Sequence, residues 1–518
     1  MRRNLGTSLS IVAAFVFVAL LLGLMIVVFP LKFTGTFSIA VLGVIGIVIA
    51  LLLPDSRSDG GRIAVTLLVL AVATKFLWPS FSYIPVPGLP FKNPQRWVWL
   101  FCMGYLAWSL MTNATLRQRA AQRLRGHPVS ALVLMFFGWR LVSCAGSEAP
   151  IASLFTTALE IFDYLPAYLM AITWIRDERD ARTLTNAMAV VLLLVVCATL
   201  VEARMQSNPF MALLPYDPTN SEFLNAVGVA KFRAGAYRAQ ATFNHALLLA
   251  QFLACMLPLA MASLARAAPP LIRLSALGGA LLLPVAMWAT HTRTAVVAAS
   301  LVLGLMALVL AWRQARRHDG SFQHHVIGYF GLIAAAALLL MAAAVAYYWT
   351  VGRTAQEAGS SLARLHMLEL SFDAFAESPI LGHGPGSGAF KAGLKSSDGT
   401  ISIDSYFLTQ LVESGLFGFV LFCSFFCFAT AGYLREAGQA TRSGISLRLT
   451  WCLLVLAFGF SALVLSTPHN MALLYLALGV LVALSPRQQH ANKAATNQTF
   501  GQANVAWATQ SRLPGARS

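Results

Sequence analysis

Long apolar runs separated by short polar segments make up most of this chain. Runs near 11–30, 37–54, 63–79, 97–111, 129–143, 154–174, 184–201, 245–263, 274–290, 295–311, 327–350, 405–430, 449–466 and 470–485 approach or reach the length a helix needs to cross a bilayer. They do not alternate residue by residue as barrel strands would. A helix satisfies its own backbone polar groups where water cannot reach them. The pattern therefore predicts an all-α polytopic membrane protein of about 12–14 transmembrane helices, with a large external loop containing short helices. Residues 11–30 follow Met1-Arg2-Arg3 as a signal peptide would, but the run is long and lacks a small-residue exit, so it is read as a retained first span.

Composition agrees. Of 518 residues 58% are apolar and only 11% charged, against about 25% charged in soluble domains. The formal charge of +17 would suggest nucleic acid in a soluble protein, but that class is excluded here, and the placement of the charges explains most of it. With the N-terminus inside, every second loop is basic: Arg117–Arg125, Arg176–Arg182, Arg266 with Arg273, Arg313–Arg317, and Arg435–Arg448. Together with Arg2, Arg3, Arg57, Arg62 and the tail, twenty-three of the thirty-seven basic residues fall inside. This is the positive-inside pattern, and it predicts cytoplasmic termini. The expected organisation is a transmembrane bundle at 1–201, a second at 202–350, a large external loop at 351–404, transmembrane helices at 405–486, and a polar, disordered cytoplasmic tail at 487–518. The seven cysteines form no disulfide or metal-ligand pattern, and no metal or cofactor is expected.

Candidate chemistry lies in the external segments. Arg233 and Arg238 precede Asn244-His245 at the start of a span. Arginine's planar fork suits phosphate oxygens, although anchoring to lipid head groups is an equal reading. Thr290-His291-Thr292-Arg293-Thr294 is a short polar turn between two apolar runs, and an arginine there requires a partner or a ligand phosphate. The large loop contains Arg364, followed by Gly382-His383-Gly384-Pro385-Gly386-Ser387-Gly388. Those glycines predict a tight turn whose amides can cradle an anion, or simply a structural turn. His383 lies where it can meet substrate. Asp404 ends the loop, placed either to take a proton from an acceptor hydroxyl or to cap the helix that begins near Ser405 and Tyr406. His469 sits in a last external turn. The membrane runs hold few acids for ion coupling, which speaks against a transporter.

Arg364, the stretch Pro379-Ile-Leu-Gly-His-Gly-Pro-Gly-Ser-Gly-Ala-Phe390, and Ser405-Tyr-Phe-Leu-Thr-Gln-Leu-Val-Glu-Ser-Gly-Leu-Phe-Gly418 resemble the O-antigen ligase and O-antigen or exopolysaccharide polymerase superfamily. Arg293 and the pair Arg238 and Asn244 resemble its other arginine sites, and the likeness runs over roughly 184–485. The resemblance implies inverting, metal-independent glycosyl transfer from an undecaprenyl-diphosphate-linked glycan at the periplasmic face of a bacterial inner membrane. Donor, glycan acceptor, membrane lipids and other polysaccharide assembly proteins are the implied partners, without nucleic acid. Its arginines imply diphosphate binding by Arg233, Arg238, Arg293 and Arg364. Asn244, His245, Gly384, Gly386, Tyr406 and His469 are implied in substrate binding, and Arg293, Arg364, His383 and Asp404 in catalysis. The ligases carry a His-Asn or His-Ser pair where this chain has Asp404-Ser405, so the base is Asp404 or one of His383, His245 and His469. That departure favours a repeat-unit polymerase; the alternatives are ligation to lipid A-core or to protein, a transporter, and an assembly scaffold.

Overall fold

The computed structural model describes residues 61–82, 93–213, 232–233, 235–265, 268–315, 322–351, 355–395, 401–438, 445–465 and 468–485. The two runs at 11–30 and 37–54 and the tail lie outside the described residues. The other twelve runs each fall on a helix. In chain order these are α1 (Gly61–Leu77), α2 (Pro94–Thr112), α4 (Pro128–Ser143), α5 (Pro150–Trp174), α6 (Glu178–Met205), α7 (Ala246–Leu264), α8 (Pro270–Ala289), α9 (Arg293–Ala315), α10 (Phe322–Val351), α13 (Tyr406–Gly438), α14 (Leu447–Ala462) and α15 (Met471–Ala483). The polar α3 (Ala114–Gly126) links α2 to α4. The strands β1 (Phe232–Arg233) with β2 (Ala236–Tyr237), and β3 (Leu394–Lys395) with β4 (Ile401–Ser402), form two-residue antiparallel hairpins. Helices α6, α7, α8, α9 and α13, and α4 with the 3₁₀ turn that continues it to Gly146, are long and apolar enough to cross a membrane, and the chain is a multi-pass, almost all-α membrane protein.

The large loop is helical, as expected: α11 (Ala355–Glu377) runs for 23 residues, followed by the five-residue α12 (Gly388–Ala392). Helix α11 buries Met367, Ser371 and Ala374, spaced at helical periodicity, and packs along α13. Leu370 packs beside Ala374, and polar residues interrupt these inward positions, so the helix gives no apolar run.

Local signals explain the helix starts. Asn93 and His127 cap α2 and α4, each followed by a proline at the first helical position. The described residues divide into two compact units. One comprises those within Met1–Gln122, Asn186–Ser300 and Ala343–Val351; the other those within Arg123–Thr185, Leu301–Ala342 and Gly352–Ser518. In the first unit α7 is the most enclosed span and packs against α8. In the second, α15 lies against α5, where Gly479 brings the backbones together: a Cβ there would stand 2.8 Å from the Tyr168 carbonyl oxygen.

Candidate functional site

In the first unit the chemistry gathers on the loop between β2 and α7. Its backbone is held from three sides. The Ala239 amide donates to the Ala289 carbonyl at the end of α8 (3.0 Å). Thr242 Oγ1 donates to the Phe76 carbonyl at the end of α1 (2.6 Å), and the Ser80 amide to the Thr242 carbonyl (2.8 Å). On the third side stands Glu202, fully buried in the last turns of α6. One carboxylate oxygen accepts from the Tyr237 hydroxyl (2.7 Å) and the Gln240 amide (3.1 Å); the other accepts from the Ala241 amide (2.5 Å). Asn208 Nδ2 donates to the Ala241 carbonyl (2.8 Å).

So held, the loop lays Arg238 on the turn between α8 and α9. Its Nε donates to the Thr290 carbonyl (3.1 Å) and Nη2 to Thr292 Oγ1 (3.2 Å). That turn carries His291 at φ 47° and delivers half-buried Arg293 as the first residue of α9. Partial burial and the Arg238 charge hold the His291 imidazole below its usual range. His245 is the N-cap of α7, its Nδ1 accepting from the Leu247 amide (3.0 Å), with half-buried Asn244 beside it. Arg233 lies on β1, in register with Ala236.

The second unit holds the other candidates. Arg364 on α11 places Nε 3.9 Å from Asp404 Oδ2, with both side chains 42% exposed. The competition for the helix cap resolves in favour of Ser405, whose Oγ accepts from the Leu408 amide (3.4 Å). Asp404 is thereby left to face Arg364 and solvent. Tyr406 is buried against Phe422, and half-buried His469 lies in the 3₁₀ turn Pro468–Asn470.

The glycine turn folds into a break in α13. Gly415 interrupts that helix at φ 62°, and the Leu416 amide donates to the Pro379 carbonyl (2.9 Å). The amides of Gly386 (2.9 Å) and Gly388 (3.3 Å) donate to Glu413 Oε1, and the Gly384 amide to the Glu413 carbonyl (2.9 Å). The turn therefore cradles an anion of its own chain. His383 is buried, with Nε2 2.8 Å from the Ala374 carbonyl. Exposed Glu148 meets Lys391 of α12 at 2.6 Å, and this contact lowers the Glu148 carboxyl and raises the Lys391 amine from their usual values.

Behind the turn lies a cluster that sequence reasoning missed. Arg140 of α4 is fully buried. Its Nε (2.9 Å) and Nη2 (2.5 Å) donate to Glu160 of α5, and Nη1 donates to Glu413 Oε2 (2.8 Å) and Gln410 Oε1 (3.2 Å). The expectation of few acids in the apolar helices is thus corrected: Glu160, Glu202 and Glu413 all sit in them, each engaged by donors. The available signal was an acid within or at the edge of an apolar run, and for Glu413 its place in the resemblance. Among the described residues no three His, Cys, Asp or Glu side chains converge as a metal site would require.

Residues 278–423 match the family model described as O-Antigen ligase. No curated protein matches the chain. The matched segment contains Arg293, Arg364, the glycine turn, Asp404 and Glu413, whereas Glu202, Arg238, Arg140 and Glu160 lie outside it. This segment, on a chain of membrane-crossing helices, supports a place in the O-antigen ligase and O-antigen or exopolysaccharide polymerase superfamily, whose activity is glycan transfer of the ligase or polymerase type.

Proposed function

We propose that the protein transfers a glycan from an undecaprenyl-diphosphate carrier to lipid A-core at the periplasmic face of the inner membrane. The observation that carries this reading is the match to O-Antigen ligase across the segment bearing Arg293, Arg364 and Asp404. That description moves ligation ahead of the polymerisation suggested by the sequence alone. In the reaction the acceptor hydroxyl attacks the anomeric carbon, its bond to the diphosphate breaks, and undecaprenyl diphosphate leaves. In the first unit Arg238 and Arg293, with Arg233 nearby in sequence, are assigned to diphosphate oxygens, where fixed positive charge stabilises the leaving group. In the second, Asp404 is assigned the proton of the acceptor hydroxyl, with Arg364 beside it supplying further positive charge. Asp404 is half exposed and relieved of capping, whereas the His383 ring is engaged by the Ala374 carbonyl of α11. Asn244 and His245 in the first unit, and Gly384, Gly386, Tyr406 and His469 in the second, are assigned to sugar or lipid.

A second reading, repeat-unit polymerisation, is favoured by Asp404 standing where the ligases have histidine. A transporter would line a pathway with charge, whereas Arg140, Glu160 and Glu413 bind one another and the turn. The test supplies the purified protein in nanodiscs with an undecaprenyl-diphosphate oligosaccharide, with and without lipid A-core. Glycosylated core as the product supports ligation; chains of several repeats without core support polymerisation and overturn it. Arg364→Ala and Asp404→Ala should each slow transfer at least about a hundredfold; full activity in Asp404→Ala sinks its role as base.

A further inference from the structure

We propose that Glu202 is the positioning residue for Arg238, fixing the loop that presents this arginine to the donor diphosphate. The inference rests on the reading above that Arg238 binds that group. A carboxylate in an apolar helix is expensive unless donors satisfy it. Both Glu202 oxygens are satisfied by the loop: the Tyr237 hydroxyl one residue before Arg238, and the Gln240 and Ala241 amides two and three residues after it. Arg238 is therefore bracketed by bonds to a single side chain.

The backbone at the far bracket is one the chain would not adopt unaided. Ala241 has φ 48°, in the left-handed region where a residue with a Cβ is disfavoured. Such a conformation persists only where surrounding contacts over-determine it. Glu202 on the Ala241 amide and Asn208 on its carbonyl do so from both sides of the residue. The Ala239 amide on Ala289 and the Arg238 guanidinium on Thr290 and Thr292 then set the bracketed segment against the turn that begins α9. The Tyr237 hydroxyl and the Gln240 and Ala241 amides each give Glu202 a hydrogen, so the site calls for an acceptor-only carboxylate. A glutamine of the same shape would turn an NH2 group toward an N–H, and an aspartate would fall one methylene short.

The experiment uses the full chain in nanodiscs and two readouts. Hydrogen exchange of the 236–242 amides reports the loop; the affinity for undecaprenyl diphosphate, used as the probe, reports the arginine. Glu202→Gln should speed exchange of the loop amides and weaken the probe about tenfold, while Arg238→Ala alone should weaken it roughly ten- to a hundredfold. The double variant should bind no more weakly than Arg238→Ala, because both changes remove the same contact. Tyr237→Phe, which leaves the carboxylate and both amides, should weaken the probe only about two- to fivefold and keeps the test open if Glu202→Gln does not fold. Unchanged exchange in Glu202→Gln, or full additivity in the double variant, overturns the positioning role. Unchanged affinity in Arg238→Ala alongside faster exchange in Glu202→Gln instead overturns the diphosphate reading and leaves the loop anchor standing.

Discussion

Two loops of this protein hang from a buried glutamate in an apolar helix, and the two glutamates hold them by different physics. Glu413 takes the amides of Gly386 and Gly388, and its other oxygen takes Arg140, which also binds Glu160. Glu202 takes the amides of Gln240 and Ala241, with the neutral hydroxyl of Tyr237 as its side-chain donor. The glycine turn passes through φ 73°, 87° and 86° at Gly382, Gly384 and Gly386, conformations glycine adopts without penalty. The other loop passes through φ 48° at an alanine. The turn on Glu413 is thus relaxed in its backbone and demanding in its charges; the loop on Glu202 is the reverse. Buried charge holds an element only while every partner is present, whereas strained backbone holds it only while the surrounding contacts persist.

The sharpest way to break the comparison is to remove the shared cation. Arg140→Met leaves Glu160 and Glu413 buried without their guanidinium, and breaking such a cluster costs about 3–5 kcal/mol. Thermal unfolding in detergent should show that loss, and Arg140→Met with Glu160→Gln should recover part of it by removing one stranded charge. A loss below about 1 kcal/mol in the single variant would mean that the carboxylates find other partners.

Next in size are the glycines. A Cβ at Gly382 would stand 2.4 Å from the Glu413 carbonyl carbon, which belongs to the helix backbone and cannot swing aside. At Gly386 the nearest atom is a side-chain oxygen, Thr156 Oγ1, at 3.1 Å. Gly386→Ala should therefore cost about the 1–2 kcal/mol of the left-handed conformation alone, and Gly382→Ala distinctly more. The reverse order, read from the two melting temperatures, would sink the claim that the turn is seated on the α13 backbone.

How much of these loops was legible in the sequence follows the range of the contacts. Apolar runs are local, so twelve of the spans could be read from the order of the residues alone. So could the glycine turn, whose signal is four glycines in seven positions. Helix α11 gave no run because polar and exposed residues interrupt its inward positions Met367, Leu370, Ser371 and Ala374. The partners of the loops were illegible because they are distant in sequence. Arg140 meets Glu413 across 273 positions, and Glu202 meets Gln240 across 38. An acid set among apolar residues reads as an anomaly until the fold brings its donors. For the same reason the glycine amides looked available to an external anion, although the chain supplies one in Glu413. Asp404 or Ser405 as the cap was a local ambiguity, and one hydroxyl geometry decides it.

The smallest expected effect tests the other half of the comparison. Ala241→Gly releases about 1–2 kcal/mol of left-handed strain. It also gives up about 0.5–1 kcal/mol of backbone entropy to the unfolded chain and about 0.8 kcal/mol for a methyl group that is fully buried. These terms nearly cancel, so the melting temperature should stay within about a degree or two of the parent, in contrast to the losses from Gly→Ala in the glycine turn. Function separates the two loops further. If Glu202 and Asn208 over-determine the backbone, glycine at 241 keeps the same conformation, and affinity for undecaprenyl diphosphate should be unchanged. A several-fold loss of affinity at unchanged stability would show that the alanine itself, by restricting its backbone, helps the glutamate aim Arg238.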